Sequence, residues 1–431
     1  MNKLLSHFQM KERGTNLKTE VLAGVTTFLT MAYILIVNPI ILSDAGMDMG
    51  AVFTATAIAS AVATFVMAIF ANLPIGLAPG MGLNAFFAYA VVLGMGYSWQ
   101  MALAAVFIEG LIFIAMSVFD VRETIVNSIP LNVKRAISVG IGLFIAFIGL
   151  QNAGIVTADE ATVVTLGNMT SGPALLAMAG LFIIGALLAL KVRGAILIGI
   201  LATTAVGIPF GLTSLPSGSW SVPSLAPTFL QFDFSSLLSM DMLIVVATFL
   251  FVDIFDTAGT LIGVTTKGDM LDENGDIPQA KQALIADSVG TTLGAMLGTS
   301  TVTSYIESAS GMTEGGKTGL TSMTVGVLFL LSLFLSPLFL MVPSAATAAA
   351  LIVVGLFMAT TIRDIDFEDY TEAVPAFMTM IMMPLTYSIS DGIMFGVVSF
   401  VGLKLLTGRF REVSKVAYVL AAVFVVWFGV S

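Results

Sequence analysis

The sequence predicts an all-α polytopic membrane protein of about 14 transmembrane segments, arranged as two inverted seven-helix repeats. Hydrophobic residues make up 57% of the chain and charged residues only 10%, whereas soluble domains carry roughly 25% charged residues. Long apolar runs recur along the whole chain, and all 17 Lys and Arg residues lie in the N-terminal tail or in alternate connections. Both observations argue against a soluble protein and indicate a multi-pass protein of the cell membrane.

The apolar runs are long enough to cross a membrane, for which a helix needs about 20 residues. They lie near 20–42, 50–72, 79–94, 98–119, 134–151, 172–190, 194–212, 240–264, 283–298, 302–312, 318–341, 344–361, 373–388 and 390–407. The third and tenth runs are short, and each follows Gly/Pro-rich or Thr-rich backbone that disfavours a helix. Short, interrupted segments at corresponding positions of two halves point to a transporter binding site.

These runs divide the chain into four parts: a basic tail (1–18), a first repeat (19–212), a second repeat (240–407) and a C-terminal segment (408–431). Because Lys and Arg concentrate in cytoplasmic loops, their distribution predicts a cytoplasmic N-terminus. Each repeat has an odd number of runs, so the second enters the membrane in the opposite orientation. The sequence does not decide where the apolar run 416–430 lies.

Short matches between the two halves support the internal repeat. Thr27-Phe28-Leu29 recurs as Thr248-Phe249-Leu250, and the sequence GLFIA from Gly142 recurs as GLFMA from Gly355. The offsets of these two matches are similar, and the two interrupted runs are separated by a comparable distance. An inverted repeat of this kind brings the interrupted helices together near the bilayer midplane.

The eighth run carries two acids, Asp253 and Asp256, which share a helix face because they are three residues apart. Ionisable groups inside a membrane segment usually face a cavity or a partner. The alternatives are carboxylates at the water interface or a pair locked into packing. Gly259 and Gly263 follow directly and suggest close packing or an interrupted helix. We expect the two acids to share a proton.

Polar residues in the interrupted runs complete the candidate site. Gly82 would let the backbone approach a ligand, Asn84 offers an amide donor and acceptor, and Glu307 occupies the equivalent place in the tenth run. Asn84 could instead join two helices by hydrogen bonding. Glu109 in the fourth run is a lone acid that could serve as site, relay or interhelical partner.

The stretches LAPGMGLNAFFAY, FVDIFDTAGTLIGV and KGDMLDENGDIPQAKQALIADSVGTTLGAMLGTSTVTSYIESASGMTEGGKTGLTS resemble the AzgA-like branch of the nucleobase:cation symporters. The resemblance extends from about Arg13 to Arg411 and includes DYTEAVPAFMTMIMMPLTYSISDGIMFG. Val302 departs from the proline that some relatives have before the tenth segment.

This resemblance implies a purine permease with a uracil-permease-like fold, divided into core and gate domains and usually dimeric. Such proteins import adenine, guanine or hypoxanthine with protons by an elevator-type alternating-access mechanism. The binding positions of the family map onto Gly82, Asn84, Asp253, Asp256 and Glu307, and an important acid near the thirteenth run corresponds to Glu372. We expect Gly82, Asn84, Asp253 and Glu307 to bind the substrate, and Asp256, Asp253 and Glu372 to couple protons. The expected partners are a purine nucleobase, membrane lipid and a second copy of the chain.

Two other functional classes compete with this interpretation. An anion transporter of the same architecture would use half-helix N-termini to attract its substrate, but three acids in the proposed site would repel an anion. A membrane-bound enzyme would need a metal cluster, a nucleophile–base pair or a cofactor motif, and the sequence contains none. We therefore expect no enzyme activity, no cofactor besides the coupling ion, no metal and no nucleic-acid partner. Sodium remains the alternative to H⁺.

Overall fold

Residues 7–119, 131–216, 220–271, 277 and 279–430 are described by a computed structural model, except for the side chains of 267 and 427–430. Within these residues, nine helical segments are long and apolar enough to cross a membrane, and three shorter apolar helices accompany them. Each of the fourteen predicted runs contains a helix. The chain is therefore a helical, multi-pass membrane protein, as predicted.

In the described part of the first half, the chain forms eight helices and three short strands. In chain order these are α1 (Leu17–Met31), α2 (Ile34–Asp44), α3 (Met49–Val66), β1 (Leu77–Pro79), α4 (Met81–Ala85), α5 (Trp99–Val118), α6 (Leu131–Asn152), β2 (Val156–Asp159), β3 (Val163–Leu166), α7 (Gly172–Ala189) and α8 (Ala195–Gly207). Helix α3 ends in a π-helical turn, Met67–Ala71, and α4 continues as a π-helix, Phe86–Gly94.

The described residues of the second half form nine helices and one strand. These are α9 (Met240–Lys267), α10 (Ala280–Leu297), β4 (Val302–Ser304), α11 (Ser308–Thr313), α12 (Gly319–Ser332), α13 (Ser336–Leu340), α14 (Ser344–Ala359), α15 (Tyr370–Thr386), α16 (Ile389–Leu406) and α17 (Lys415–Val430). Helix α17 accounts for the apolar C-terminal run, and it packs against α16.

The two interrupted runs contain strands as well as helices. Strand β1 pairs with β4 in antiparallel register, with Leu77 opposite Ser304 and Pro79 opposite Val302. A second pair, β2 with β3, forms a hairpin in a predicted outer loop. The prediction of a purely helical chain therefore needs correction at these four strands. Pro79 and the β-branched residues around Val302 favour extended backbone over helix.

A threonine from the preceding helix completes the hydrogen bonding of each interrupted strand. The Thr64 hydroxyl accepts from the Leu77 N–H at 3.0 Å and donates to the Leu77 carbonyl at 3.2 Å. The Thr291 hydroxyl does the same for Val302, at 3.2 Å and 3.0 Å. Leu77 begins β1 and Val302 begins β4, so the two arrangements are equivalent. Non-helical backbone inside a membrane protein needs such partners, because no water is there to supply them.

The repeated sequence GLFIA/GLFMA lies where α6 packs against α14. A Cβ atom on Gly142 would lie 2.5 Å from the Gly355 carbonyl oxygen, and one on Gly355 would lie 2.4 Å from the Gly142 oxygen. Only glycine permits this approach of the two backbones. The contact is reciprocal, as expected where two copies of one repeat meet on a two-fold axis.

Helix α9 is continuous over 28 residues. The expectation of an interruption or close packing at Gly259 and Gly263 is therefore wrong. A Cβ atom at either glycine would meet no atom within 4 Å. Because both follow Asp256 on the same side of the helix, this side of α9 borders open space.

Candidate functional site

Six consecutive residues, Thr299–Ser304, connect α10 to the end of β4, and five of them are Ser or Thr. We call this segment the hydroxyl ribbon. All six residues are buried. Since successive residues of an extended chain point to opposite sides, the ribbon can present hydroxyl groups to two different surroundings. The Thr-rich composition predicts non-helical backbone here, but it did not predict that the hydroxyl groups contact the buried acids and Asn84.

Asn84 lies on one side of this ribbon. The Ser300 hydroxyl donates to Asn84 Oδ1, which fixes the amide by one end. Asn84 is fully buried, and its Nδ2 has no acceptor within the described part of the chain. A buried donor without an acceptor is costly. Asn84 therefore holds a hydrogen-bond donor that a ligand could satisfy.

Asp256 and Glu307 lie close together at the same end of the ribbon. Asp256 has the Thr303 hydroxyl as a hydrogen-bond donor and Glu307 as a charged neighbour. Glu307 immediately precedes α11, and its Oε1 accepts from the Tyr33 hydroxyl at 2.7 Å. Tyr33 is buried at the break between α1 and α2. Tyr33 was missed at the sequence level, because nothing in an apolar run marks one tyrosine as a carboxylate partner.

A cavity of about 320 Å³ opens onto Glu307. Thr26, Thr30 and Ser310 contribute hydroxyl groups to its wall, and an ion pair between Arg193 and Glu314 borders it. Arg193 is 59% exposed and Glu314 only 19%, so the ion pair marks the mouth of the cavity. This volume is at the lower end of the range of small-molecule sites. Of the predicted site residues, Glu307 is the one that lines it.

Asp253 belongs to a different cluster, on the other side of the ribbon. It is fully buried, and its neighbours are Glu109 of α5 and Asp287 of α10. The Thr257 hydroxyl lies 3.4 Å from Asp253 Oδ1 and 2.9 Å from Asp287 Oδ2, and Ser304 donates to Asp287 Oδ1 at 3.1 Å. Glu109, which the sequence left open between site, relay and partner, is thus part of an acidic cluster.

Asp253 and Asp256 were expected to share a proton, but their side-chain hydrogen bonds are with other residues. Residues three apart differ by about 60° around a helix axis. That angle is enough to place Asp253 beside Glu109 and Asp287, and Asp256 beside Thr303 and Glu307. Thr303 contacts Asp256 and Ser304 contacts Asp287, while Asp256 remains one of the charged groups near Asp253.

Gly82 lies at the contact between α4 and α6. A Cβ atom at this position would lie 2.5 Å from Ile141 Cγ2, so the absence of a side chain lets α6 approach the interrupted segment. The close contact with Ile141 explains why glycine is needed here. The proposed role of Gly82 in binding the substrate stays a prediction.

Glu372 lies in the first turn of α15, where it forms a 2.9 Å ion pair with Lys404. Lys404 also pairs with Glu412 at 2.8 Å. The side chain of Lys404 is almost fully buried, and these two carboxylates balance its charge. The structure assigns Glu372 a partner away from the other predicted acids, and its predicted role in proton coupling stays untested.

Comparisons with known proteins give the chain relatives along its whole length. A permease family model, Xan_ur_permease, matches residues 18–395. The guanine/hypoxanthine permease PbuG of Bacillus subtilis is 49% identical over 433 residues, covering 98% of each chain. The adenine permease AdeP of Escherichia coli is 44% identical over 418 residues, covering 97% of this chain and 94% of its own.

Among solved structures, the transmembrane domain of a cyanobacterial bicarbonate transporter, BicA, is similar with a TM-score of 0.65. The alignment covers 89% of this chain and 97% of the BicA domain, at 17% sequence identity. At this identity the likeness concerns the fold alone.

Proposed function

We propose, from the premise that this chain belongs to the permease family Xan_ur_permease, that it imports purine nucleobases together with protons. Membership makes it a nucleobase permease rather than an enzyme, and relatives that cover nearly its whole length are named for guanine, hypoxanthine or adenine. The observation that carries the proposal is the cavity that ends at Glu307, beside Asp256 and the ribbon that holds Asn84.

These groups match the edge of a purine. A purine base is flat and mostly uncharged, and it alternates N–H donors with ring-nitrogen or carbonyl acceptors. Glu307 and Asp256 can accept from its N–H groups, while the unpaired Nδ2 of Asn84 can donate to an acceptor. A base without the matching groups would leave these buried side chains unpaired, which is how a polar site rejects wrong ligands.

The competing anion function fits these residues less well. Glu307 lines the cavity, and Asp256 is a charged neighbour of Glu307, so these carboxylates would repel an anion. The positive charge of Arg193 at the mouth is balanced by Glu314. An uncharged substrate with N–H donors is therefore the better match.

Transport would combine a mobile core with a gate, by an elevator-type movement. The equivalent bonds of Thr64 and Thr291 and the reciprocal contact of Gly142 with Gly355 support two inverted repeats. Because β1 and β4 are hydrogen-bonded to each other, the two interrupted segments would move as one body that carries the base. We further propose fourteen crossings and a cytoplasmic N-terminus, following the distribution of Lys and Arg.

Uptake in cells that lack their own nucleobase permeases tests the proposal. Radiolabelled adenine, guanine, hypoxanthine and uracil would be supplied separately, with and without a protonophore. We expect purine uptake that rises as external pH falls, collapses with the protonophore and does not require Na⁺. Preferential uracil uptake would contradict the substrate assignment, and uptake that stops only when Na⁺ is removed would contradict the coupling ion.

A further inference from the structure

The cluster of Glu109, Asp253 and Asp287 has no role in the base site described above. All three side chains are fully buried, and they come from three helices, α5, α9 and α10. Both carboxyl oxygens of Glu109 and Oδ2 of Asp253 receive no hydrogen bond from any donor in the described residues. The Thr301 hydroxyl lies next to Glu109.

Glu109 and Asp253 lie within hydrogen-bonding reach of each other. Two carboxylates are both acceptors, so a hydrogen bond between them requires a proton on one of the two. Without it, two negative charges would face each other where water does not reach them, an arrangement that proteins avoid by neutralising one group. One proton shared by the two carboxyl groups would remove this conflict and give the unpartnered oxygens a hydrogen bond.

We infer that the Glu109–Asp253 pair holds the transported proton, at a site separate from the base site of Glu307 and Asp256. The inference rests on the proposed function and deepens it, because it assigns the coupling ion to residues of its own. It also replaces the expectation that Asp253 and Asp256 share this proton. Asp256 then belongs to the base site alone.

A proton fits the pair better than Na⁺ does. Within the described residues no group of three acidic or His side chains is arranged to hold a metal ion. A cation would need several oxygen ligands converging on one point, whereas Glu109 and Asp253 approach each other directly. One proton satisfies both carboxyl groups in that arrangement.

Among the residues that the structure describes, the surroundings of Glu109 contain other acids but no base that neutralises it. Helix α10 presents Asp287, and α9 presents Asp253 and, one turn further on, Asp256. The π-helix after α4 carries Tyr89, whose hydroxyl donates to Asp44 instead. The nearest lysine of α10, Lys281, donates to the Val118 carbonyl at the far end of α5.

The hydroxyl ribbon links this proton site to the base site. Thr301 and Ser304 face the acidic cluster, whereas Ser300 and Thr303 contact Asn84 and Asp256. Loss of the proton would leave two facing carboxylates that repel each other, and the movement that relieves the repulsion would displace α9 and the ribbon. Proton release would thereby lower the affinity of the site for the base.

The test uses the full-length protein in liposomes and three variants. Glu109→Gln and Asp253→Asn each replace a carboxyl group by an amide, which can bond the remaining acid but cannot release a proton. Ser117→Ala is the matched control, because Ser117 is also buried in α5 with an unpartnered hydroxyl. The readouts are hypoxanthine accumulation driven by a pH gradient, hypoxanthine exchange at equal pH, and the infrared band of a protonated carboxyl group.

For Glu109→Gln we expect accumulation to fall by about tenfold or more, the scale of a typical coupling between two sites. Exchange should fall much less and lose its pH dependence, and the infrared band should disappear. Ser117→Ala should behave as the wild type does. Asp253→Asn should give the same pattern. It therefore replaces Glu109→Gln in the test if that variant does not fold.

Accumulation by Glu109→Gln with an unchanged pH dependence would overturn the proton assignment. A wild-type protein whose infrared spectrum lacks the band, or whose accumulation needs Na⁺, would also overturn it. If the wild type exchanges no purine, the proposed function fails. The infrared band then still decides whether Glu109 and Asp253 hold a proton.

Discussion

At the scale of single residues, the buried polar side chains differ in which of their atoms are left without a hydrogen bond. Glu307 has one donor, Tyr33, and a second oxygen available beside the cavity. Asn84 is held through Oδ1 while Nδ2 has no acceptor. Asn38, in contrast, donates to both Thr56 and Thr299, at 2.7 Å and 2.8 Å. Asn38 Oδ1 has no partner among the described residues, so Asn38 differs from Asn84 in its amide nitrogen, which joins helices instead of remaining available to a ligand.

The sequence could identify the acids but not how they group. Asp253, Asp256 and Glu307 stand out because ionisable residues are rare in apolar runs. A spacing of three predicts a common helix face, and this much is correct. Which neighbours meet each acid depends on α5, α10 and the hydroxyl ribbon, and helical periodicity carries no information about contacts between distant segments.

Replacing Glu307 with Gln should weaken purine binding. The amide keeps the shape of the side chain but loses an acceptor for the N–H groups of the base. Loss of a hydrogen bond to a charged group costs about 1.5–3 kcal/mol, which corresponds to roughly a ten- to hundredfold loss of affinity. Binding of radiolabelled hypoxanthine to the purified wild type and variant measures this loss of affinity. Membrane insertion of the variant is checked in parallel.

Tyr33→Phe is a useful companion to Glu307→Gln, because it removes only the donor that orients Glu307. A smaller loss of affinity is expected, since the carboxylate stays in place. If Glu307→Gln binds purine within twofold of the wild type, Glu307 does not contact the base.

At the scale of elements, the interrupted segments were predictable and their pairing was not. Non-helical backbone is predicted by the Gly and Pro residues before the third run and by the Ser and Thr residues before the tenth. The pairing of β1 with β4 joins residues more than 220 positions apart. Strands of three residues carry no alternation long enough to detect. The threonines that complete them, Thr64 and Thr291, also sit inside ordinary helical runs.

Removing the Thr64 or Thr291 hydroxyl should destabilise the fold. Thr64→Val leaves the N–H and C=O of Leu77 without their partner, and Thr291→Val does the same for Val302. Each unsatisfied buried group costs about 1–3 kcal/mol, so we expect a clearly lower melting temperature in detergent.

Thr203→Val serves as the control for these two variants. Its hydroxyl is equally buried but bonds only the carbonyl four residues earlier in its own helix. A carbonyl of that kind keeps its helical partner, so the change in stability should be small. Equal melting temperatures for all three variants would show that the strands do not depend on these hydroxyl groups.

At the scale of the whole molecule, the sequence predicted a membrane protein with an internal repeat. Composition and the distribution of Lys and Arg are properties of the entire chain. A misread single position therefore does not change the predicted class of protein. The reciprocal contact between Gly142 and Gly355 agrees with the repeat inferred from GLFIA and GLFMA. The cavity could not be predicted, because its wall combines α1, the segment between α7 and α8, and α11.

The ion pair of Arg193 with Glu314 joins two distant connections at the mouth of this cavity. Exposed ion pairs contribute only about 0.2–1 kcal/mol, so the pair matters little for stability. A change of that size is enough to alter the rate of a movement that opens the cavity, by up to about fivefold. We therefore expect the pair to influence transport rate rather than folding.

A charge-exchange experiment tests this expectation. Arg193→Glu places two carboxylates together and should hasten opening of the mouth, which would raise the exchange rate of radiolabelled hypoxanthine in liposomes. Adding Glu314→Arg restores an ion pair of reversed polarity, so the double variant should return toward the wild-type rate. Lys191→Glu is the control, because Lys191 also lines the cavity and its replacement changes the net charge equally. Equal effects of Lys191→Glu and Arg193→Glu would mean that the general charge at the mouth, and not this ion pair, sets the rate.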